Sequence, residues 1–490
     1  MKKSLILAIP ALLLASSCAD TLSNVDLKNP GQGAVPGVYF VTSAERSLAR
    51  SLSSTNQNGY ISRLLVQYWT ETTYNDEATY NLANRTIPDN VWTAYYQGAL
   101  GNLNEAKRLI SGNPLIDAGT KANQLACVDV LAVHAWHNLV DTFGNVPYTQ
   151  ALDINNKTPV YDDAATIYTD LLKRLDADIA ALKANTSAGS LGSADLIYNG
   201  DIPSWIKYAN SLKLRLAMTT YDVDPARATT LVQQAAPNVF QSNSDAAQLA
   251  FQTTNPNTNP LYEDLVQSGR YDYVGTNVFI QNQLLPTKDP RLPIYFQPVG
   301  RTDTVTYYAG APYGPATNYS LWSNPGVVLR KPTFPAMFLS YYEVQFLLAE
   351  AAARGISVGG SASDLYNNAV TASITYWENI AGVGNPSVDA PAYLAQPSVT
   401  YSSATGNFKQ KIGIQKWIAL YNQPTQAWTE WRRLDYPKLQ APAVTYQSSG
   451  IPLRYFYPNS EQNLNNANRQ AAATAIGGDV VSTKIFWDKY

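Results

Sequence analysis

The chain has 490 residues, with 35 Lys and Arg against 37 Asp and Glu, a formal charge of −2 and no basic run, which argues against a nucleic-acid partner. Charged residues make up only 15 % of it, below the usual ~25 %. In their place stand 33 Tyr, 10 Trp and many Asn, Gln, Ser and Thr, a surface that recognises by stacking and neutral hydrogen bonds and suits sugars or peptides.

At the N-terminus, Lys2 and Lys3 precede an apolar run from Leu5 to Ala15 that Pro10 interrupts and that is too short to span a bilayer. Ser16 and Ser17 then lead to Cys18. The stretch resembles a lipobox, although Ala15 stands where Leu is commoner and Ser17 where Gly or Ala is; the alternative is an ordinary signal peptide with a cysteine nearby. The reading is a signal peptide over 1–17, lipidation at Cys18, and a flexible tether over 18–35 containing "ADTLSNVDLKNPGQG". Cys127 is then left without a partner, so an exported chain relies on its core rather than on a disulfide, and a hydrophobic content of 45 % allows that.

Helical periodicity dominates the first half. "YDDAATIYTDLLKRLDADIAAL" (161–182) lines up Ile167, Tyr168, Leu171, Leu172, Leu175, Ile179 and Leu182, with Asp162 or Asp163 as cap. "GDIPSWIKYANSLKLRLAM" (200–218) opens with Asp201 and Pro203 and carries Ile202, Trp205, Ile206, Ala209, Leu212 and Leu216 on one face. Further helices are expected over 91–110, 120–141, 341–354 and 363–380, with Gly355 closing the third of these. Together they predict a mostly α fold: a TPR-like helix–turn–helix scaffold with long loops and a few short strands. A single domain over 36–490 is expected. Its helical scaffold covers about 36–235 and 336–380, a loop-rich ligand-facing portion about 240–335, and a C-terminal region 381–490. Residues 381–410 and 440–452 share the irregular texture of 240–335.

The sequence offers few routes to catalysis. His134 and His137, the only histidines, lie three apart on one helix with Asp129 and Asp141 nearby; a metal needs more ligands than this, so core packing or helix-end hydrogen bonding is the preferred reading and no metal site is assigned. Cys127 is about two turns from His134, poor geometry for a nucleophile and its base, and reads as a buried thiol. "WTEWRRLDYP" (428–437) holds Glu430, Arg432, Arg433 and Asp435; it reads as structural pairing and stacking rather than as a glycosidase acid, which would require a second carboxylate at a set distance. There is no phosphate-cradling Gly-Lys-Ser/Thr loop, nucleophile elbow or His-Glu-x-x-His, and no cofactor is called for.

The better candidates are aromatic. Trp69, Tyr74, Asn75, Asp76 and Tyr80 fall in an aliphatic-poor stretch, Arg270, Tyr271, Asp272 and Tyr273 follow a Gly, and Trp322 sits in the turn-rich "YSLWSNPG". Trp and Tyr give flat faces with a polar handle, while Asn, Asp and Arg fix orientation. These ten residues, on loops 67–82, 268–279 and 313–326, are the candidate ligand site.

Eight segments in chain order, among them "DTFGNVPYTQAL", "DLIYNGDIPSWIKYANSLKLRLAM", "KDPRLPIYF", "YYEVQFLLAEAAARG", "AWTEWRRLDYP" and "IPLRYFYPNSEQNLN", together with the lipobox, resemble the SusD/RagB nutrient-binding outer-membrane lipoproteins, in particular the SusD-like branch. The resemblance implies a lipid-anchored protein exposed at the outer-membrane surface. It would capture an oligosaccharide or a peptide, deliver it to a SusC-type TonB-dependent transporter, and have no catalytic activity. The alternatives are a surface glycan-degrading enzyme and a helical-repeat adaptor with protein partners only.

Overall fold

In the computed structural model, which describes residues 35–54, 60–300, 307–446 and 450–490, most of the long helices begin where a side chain can accept the free N–H groups of the first turn. Cys18, the signal peptide and the tether up to residue 34 lie outside the described residues. Helix α1 (Val38–Ser53) is followed by a helical stretch made of Ile87–Thr93, a π-type segment Ala94–Gly101 and α2 (Asn102–Gly112). Helix α3 (Ala118–Phe143) starts at Asp117, whose carboxylate accepts the Thr120 N–H at 2.9 Å. Helix α4 (Ala164–Ala184) starts at Asp163, which accepts the Thr166 N–H at 2.8 Å, and α5 (Ile202–Thr219) at Asp201, with Pro203 in its first turn. Helix α6 (Pro225–Ala235) follows.

The apolar stripes are buried as their spacing predicts. All seven residues named on α4 are buried, and on α5 all but Ile206, which is half-buried. Helix α2 packs on α3, α3 on α4, α4 on α5, and α5 on α6. A second group continues the series: α7 (Tyr341–Ala353), α8 (Ala362–Ala381), α9 (Phe408–Ala419) and α10 (Pro424–Leu434). Ser340 caps α7, and Gly355, at φ +86°, supplies the left-handed turn that ends it. The result is the mostly helical, TPR-like scaffold expected from the sequence. Its two groups are tied by a buried ion pair from Arg215 of α5 to Glu343 of α7 at 2.7 Å.

The described residues of 240–335 contain only short helical turns and strand pieces. Among the described residues, three two-stranded antiparallel sheets pair β1 (Trp69–Glu71) with β5 (Tyr273–Gly275), β2 (Val146–Pro147) with β3 (Tyr161–Asp162), and β4 (Ala247–Leu249) with β6 (Ala336–Leu339). The first pins the loop-rich portion onto the N-terminal segment. One expectation is corrected: the stretch 381–410 is not irregular throughout, because Pro386–Leu394 is an α-helix. Pro386 supplies a pre-set first turn, and Ala390 and Tyr393 bury against the scaffold, which overrides the local Pro content. No described helix is long and apolar enough to cross a membrane.

Candidate functional site

The three candidate loops, far apart in sequence, are stitched into one surface by backbone pairing. Beyond the β1–β5 ladder, Thr72 N–H donates to the Asp272 carbonyl at 2.9 Å, and Thr317 N–H donates to the Thr72 carbonyl at 2.9 Å. Gly275 N–H donates to the Ser323 carbonyl at 2.9 Å, which brings in the third loop. Side chains lock the arrangement. The Asn75 amide donates to the Gly314 carbonyl, Gly314 N–H donates to Thr70 Oγ1, and the Asn324 amide donates to both the Tyr271 and Tyr273 carbonyls at 3.1 Å. Asp76 accepts from the Asn84 side chain at 2.7 Å and so holds its own loop.

The ten candidates divide into a floor and a face. Trp69, Tyr80 and Tyr273 are buried, so their rings present no surface to a ligand, a correction to the reading of them as contact residues. Trp69 donates its indole N–H to the Tyr421 hydroxyl at 2.7 Å, and the Arg63 guanidinium lies 5.0 Å from its ring. Tyr80 packs on Tyr313, and Tyr273 on Trp69. Asp272 is also buried, paired through both oxygens with Arg270, whose guanidinium lies over the Tyr273 ring at 4.8 Å. Beneath them, burial and then the neighbouring Glu77 carboxylate push the Glu71 carboxyl well above the usual range.

Above this floor Tyr271 is 52 % exposed and Tyr319 47 % exposed, with ring centroids 6.2 Å apart and planes within 27° of parallel. Trp322, half-buried, donates its indole N–H to Thr317 Oγ1 at 3.2 Å, which fixes the ring in the same loop. Tyr74 is 74 % exposed and has a positive φ of +52°. Gln67, Tyr80 and Thr86 share that left-handed backbone, a concentration of strain in one non-glycine segment that the surrounding pairing must hold. Tyr319 was not singled out in the sequence; its signal was the Asn318-Tyr319-Ser320 turn, where Asn318 accepts the Ser320 N–H and turns the ring outward.

The remaining candidates for chemistry are interior. His134 and His137 are buried, with ring nitrogens facing the Tyr208 hydroxyl and Asp141, and burial lowers both below the ordinary histidine range. Among the described residues no group of three or more His, Cys, Asp or Glu is placed to hold a metal. Cys127 is a buried free thiol, pushed up by burial. In the 428–437 segment Glu430 is buried between Lys416 and Arg433, and Arg432 lies 3.7 Å from the Trp428 ring centroid and donates to the Asp141 and Leu453 carbonyls. A cleft of about 650 Å³ runs along α1, but its one aromatic is Phe251, and Arg50 in its wall is consumed by Glu263 at 2.8 Å. The open aromatic face is therefore the stronger candidate.

Scaffold and face together define a helical-repeat protein in which most of the exposed aromatic rings are carried outside the long helices, Tyr39 of α1 being an exception. Residues 31–458 match the model of the SusD-like family described as starch-binding associating with outer membrane, and the chain belongs to that family. Among solved structures, a chitin-binding protein is 28 % identical with a TM-score of 0.81, over 93 % of this chain and 100 % of its own. A chitin-binding SusD homolog from Flavobacterium johnsoniae is 24 % identical with a TM-score of 0.76, over 92 % and 97 % of the two chains. A SusD-like protein from Bacteroides thetaiotaomicron is 23 % identical with a TM-score of 0.77, over 93 % and 99 %. No curated protein matches the sequence.

Proposed function

We propose that this chain is a non-catalytic, cell-surface lipoprotein that captures an oligosaccharide on the face formed by Tyr271, Tyr319 and Trp322, with Tyr74 adjoining, and passes it to a TonB-dependent barrel. The observation that carries the reading is the exposed, near-parallel Tyr271–Tyr319 pair, held in place by backbone pairing of three loops. Flat aromatic faces take the apolar faces of sugar rings, and neutral hydrogen-bonding groups around them fix orientation. Membership of a family described as starch-binding, and the likeness to a chitin-binding protein, favour a glycan over a peptide. The lipid anchor at Cys18 and the SusC-type partner rest on the lipobox and on the family. Asn75, Asp76, Arg270 and Asp272 hold the loops in this reading, and Trp69, Tyr80 and Tyr273 form their floor.

The test is calorimetric titration of purified protein with malto- and chito-oligosaccharides, for the parent and for Tyr271→Ala and Trp322→Ala. Each ring contributes roughly 0.5–1.5 kcal/mol beyond buried area, so each variant loses about tenfold in affinity. Unchanged affinity in both variants, or release of shortened products during incubation, overturns the reading.

A further inference from the structure

One edge of the aromatic face carries a guanidinium, that of Arg330, for which the described residues supply no ion pair. Next to Tyr271 lies a niche of about 10 Å³, lined by Leu265, Arg270, Tyr271, Asn324, Pro325 and Arg330. That is room for one water-sized group. Two guanidiniums line it. Arg270 spends Nε and Nη2 on Asp272 at 2.7 Å each, with Glu71 3.8 Å from Nη2, while its Nη1 is buried without a hydrogen-bond partner. Arg330, half-buried, makes a single 3.3 Å bond from Nη2 to the Leu265 carbonyl, and among the described residues it forms no ion pair. Lys331 follows it, exposed and likewise without an ion pair among the described residues.

A buried donor with no acceptor is unfavourable to keep, and one on a residue that lines an oxygen-sized space is satisfied if a ligand oxygen reaches it. A neutral hydroxyl would satisfy the geometry but not the charge of Arg330. A charged acceptor satisfies both, through charge-assisted bonds about twice as strong as neutral ones. Tyr271 is common to the niche and to the stacked pair, so a sugar ring on Tyr271 would place a ring substituent within reach of Arg330.

We propose that Arg330, with Arg270 Nη1 behind it, is a specificity device for an acidic glycan, receiving a carboxylate or sulfate oxygen of a sugar stacked on Tyr271 and Tyr319. This rests on the glycan-binding reading above. Asn324 acts as a positioning residue: its amide ties the Tyr271 and Tyr273 carbonyls together and so holds the ring and the niche in register.

The experiment titrates the full mature protein with an oligogalacturonide, a sulfated oligosaccharide and a neutral malto-oligosaccharide of matched length, at low and high salt. The parent, Arg330→Gln, Arg330→Lys and Tyr271→Ala are compared, with melting curves for each. An acidic ligand is expected to bind about tenfold more tightly than the neutral one, and the comparison of carboxylated with sulfated ligand shows which anion is preferred. Arg330→Gln should erase the preference and its salt dependence while leaving neutral affinity unchanged; Arg330→Lys should keep part of it. The proposal is overturned if the neutral ligand binds as tightly as both acidic ones, or if Arg330→Gln weakens neutral and acidic ligands alike. In those cases a Tyr271→Ala loss on the neutral ligand leaves the glycan reading standing. If no oligosaccharide of any class binds, the glycan reading falls and this proposal falls with it.

Discussion

Tyr271, two residues before β5, keeps half its surface in water while Trp69, in the β1 strand that pairs with β5, keeps 1 %, and the two rings predict opposite phenotypes. Truncating Trp69 opens a cavity and strips the Tyr421 hydroxyl of its donor, so Trp69→Ala should cost roughly 3–5 kcal/mol in a urea denaturation series. Tyr271→Ala should stay within about 0.5 kcal/mol of the parent, because its ring contacts are at the surface. Tyr74 separates backbone from side chain. Its positive φ strains any residue with a Cβ by about 1–2 kcal/mol. Tyr74→Gly should therefore be more stable than Tyr74→Ala by about 1 kcal/mol on thermal unfolding, while both lose the same ring from the proposed ligand face. Equal stability of the two variants would show that the loop relaxes rather than holding that conformation.

Among the elements, α7, α9 and α10 are clamped by buried charge. Glu350 of α7 pairs with Arg433 of α10, and Glu430 of α10 with Lys416 of α9 at 2.9 Å. Burial alone would raise the Glu350 carboxyl; the guanidiniums of Arg433 and Arg354 outweigh it and hold it at about 2, against 4.5 for an ordinary glutamate. A carboxylate depressed in the folded state stabilises above its unfolded pKa, and that contribution is lost as pH falls through the folded one. Glu350→Gln should thus cost roughly 3–5 kcal/mol at neutral pH, since it leaves Arg433 partly uncompensated. The gap between parent and variant should close between about pH 4.5 and pH 2. A gap that stays constant over that window would mean Glu350 contributes by shape alone. The charged "WTEWRRLDYP" segment is thus built into the interior, where a free acid for catalysis would need solvent and a second carboxylate.

At the scale of the whole molecule, the proposed function has the protein tethered and partnered, and each of the two is open to a direct test. In the proposed lipid-anchored form, Cys18→Ala should shift the protein from the outer-membrane pellet to the soluble or unprocessed fraction, because acyl chains contribute about 0.8 kcal/mol of membrane affinity per buried methylene and the variant cannot carry them. Full retention of the variant in the pellet would show that Cys18 is not the main anchor. Gentle detergent extraction from cells that express the transporter should recover the protein with a large β-barrel; recovery as a lone monomer argues against the delivery reading.

What the sequence determined by itself was whatever is local. The stripe Ile167 to Leu182, the caps at Asp163 and Asp201, and the stop at Gly355 depend on residues three or four apart, so period and capping chemistry suffice to place those helices. That the stretches 67–82, 268–279 and 313–326 are irregular and aromatic was equally legible. Which of their rings face water was not. Trp69 is buried because Tyr421 accepts its N–H from 352 residues away, and Tyr80 because Tyr313 closes over it. Aromatic loops carry no period that would separate inward from outward, so burial there is set by partners the chain supplies only once folded. The same holds for Arg330, whose charge is available because folding brings no carboxylate to it among the described residues, while its neighbour Arg270 is engaged by Asp272.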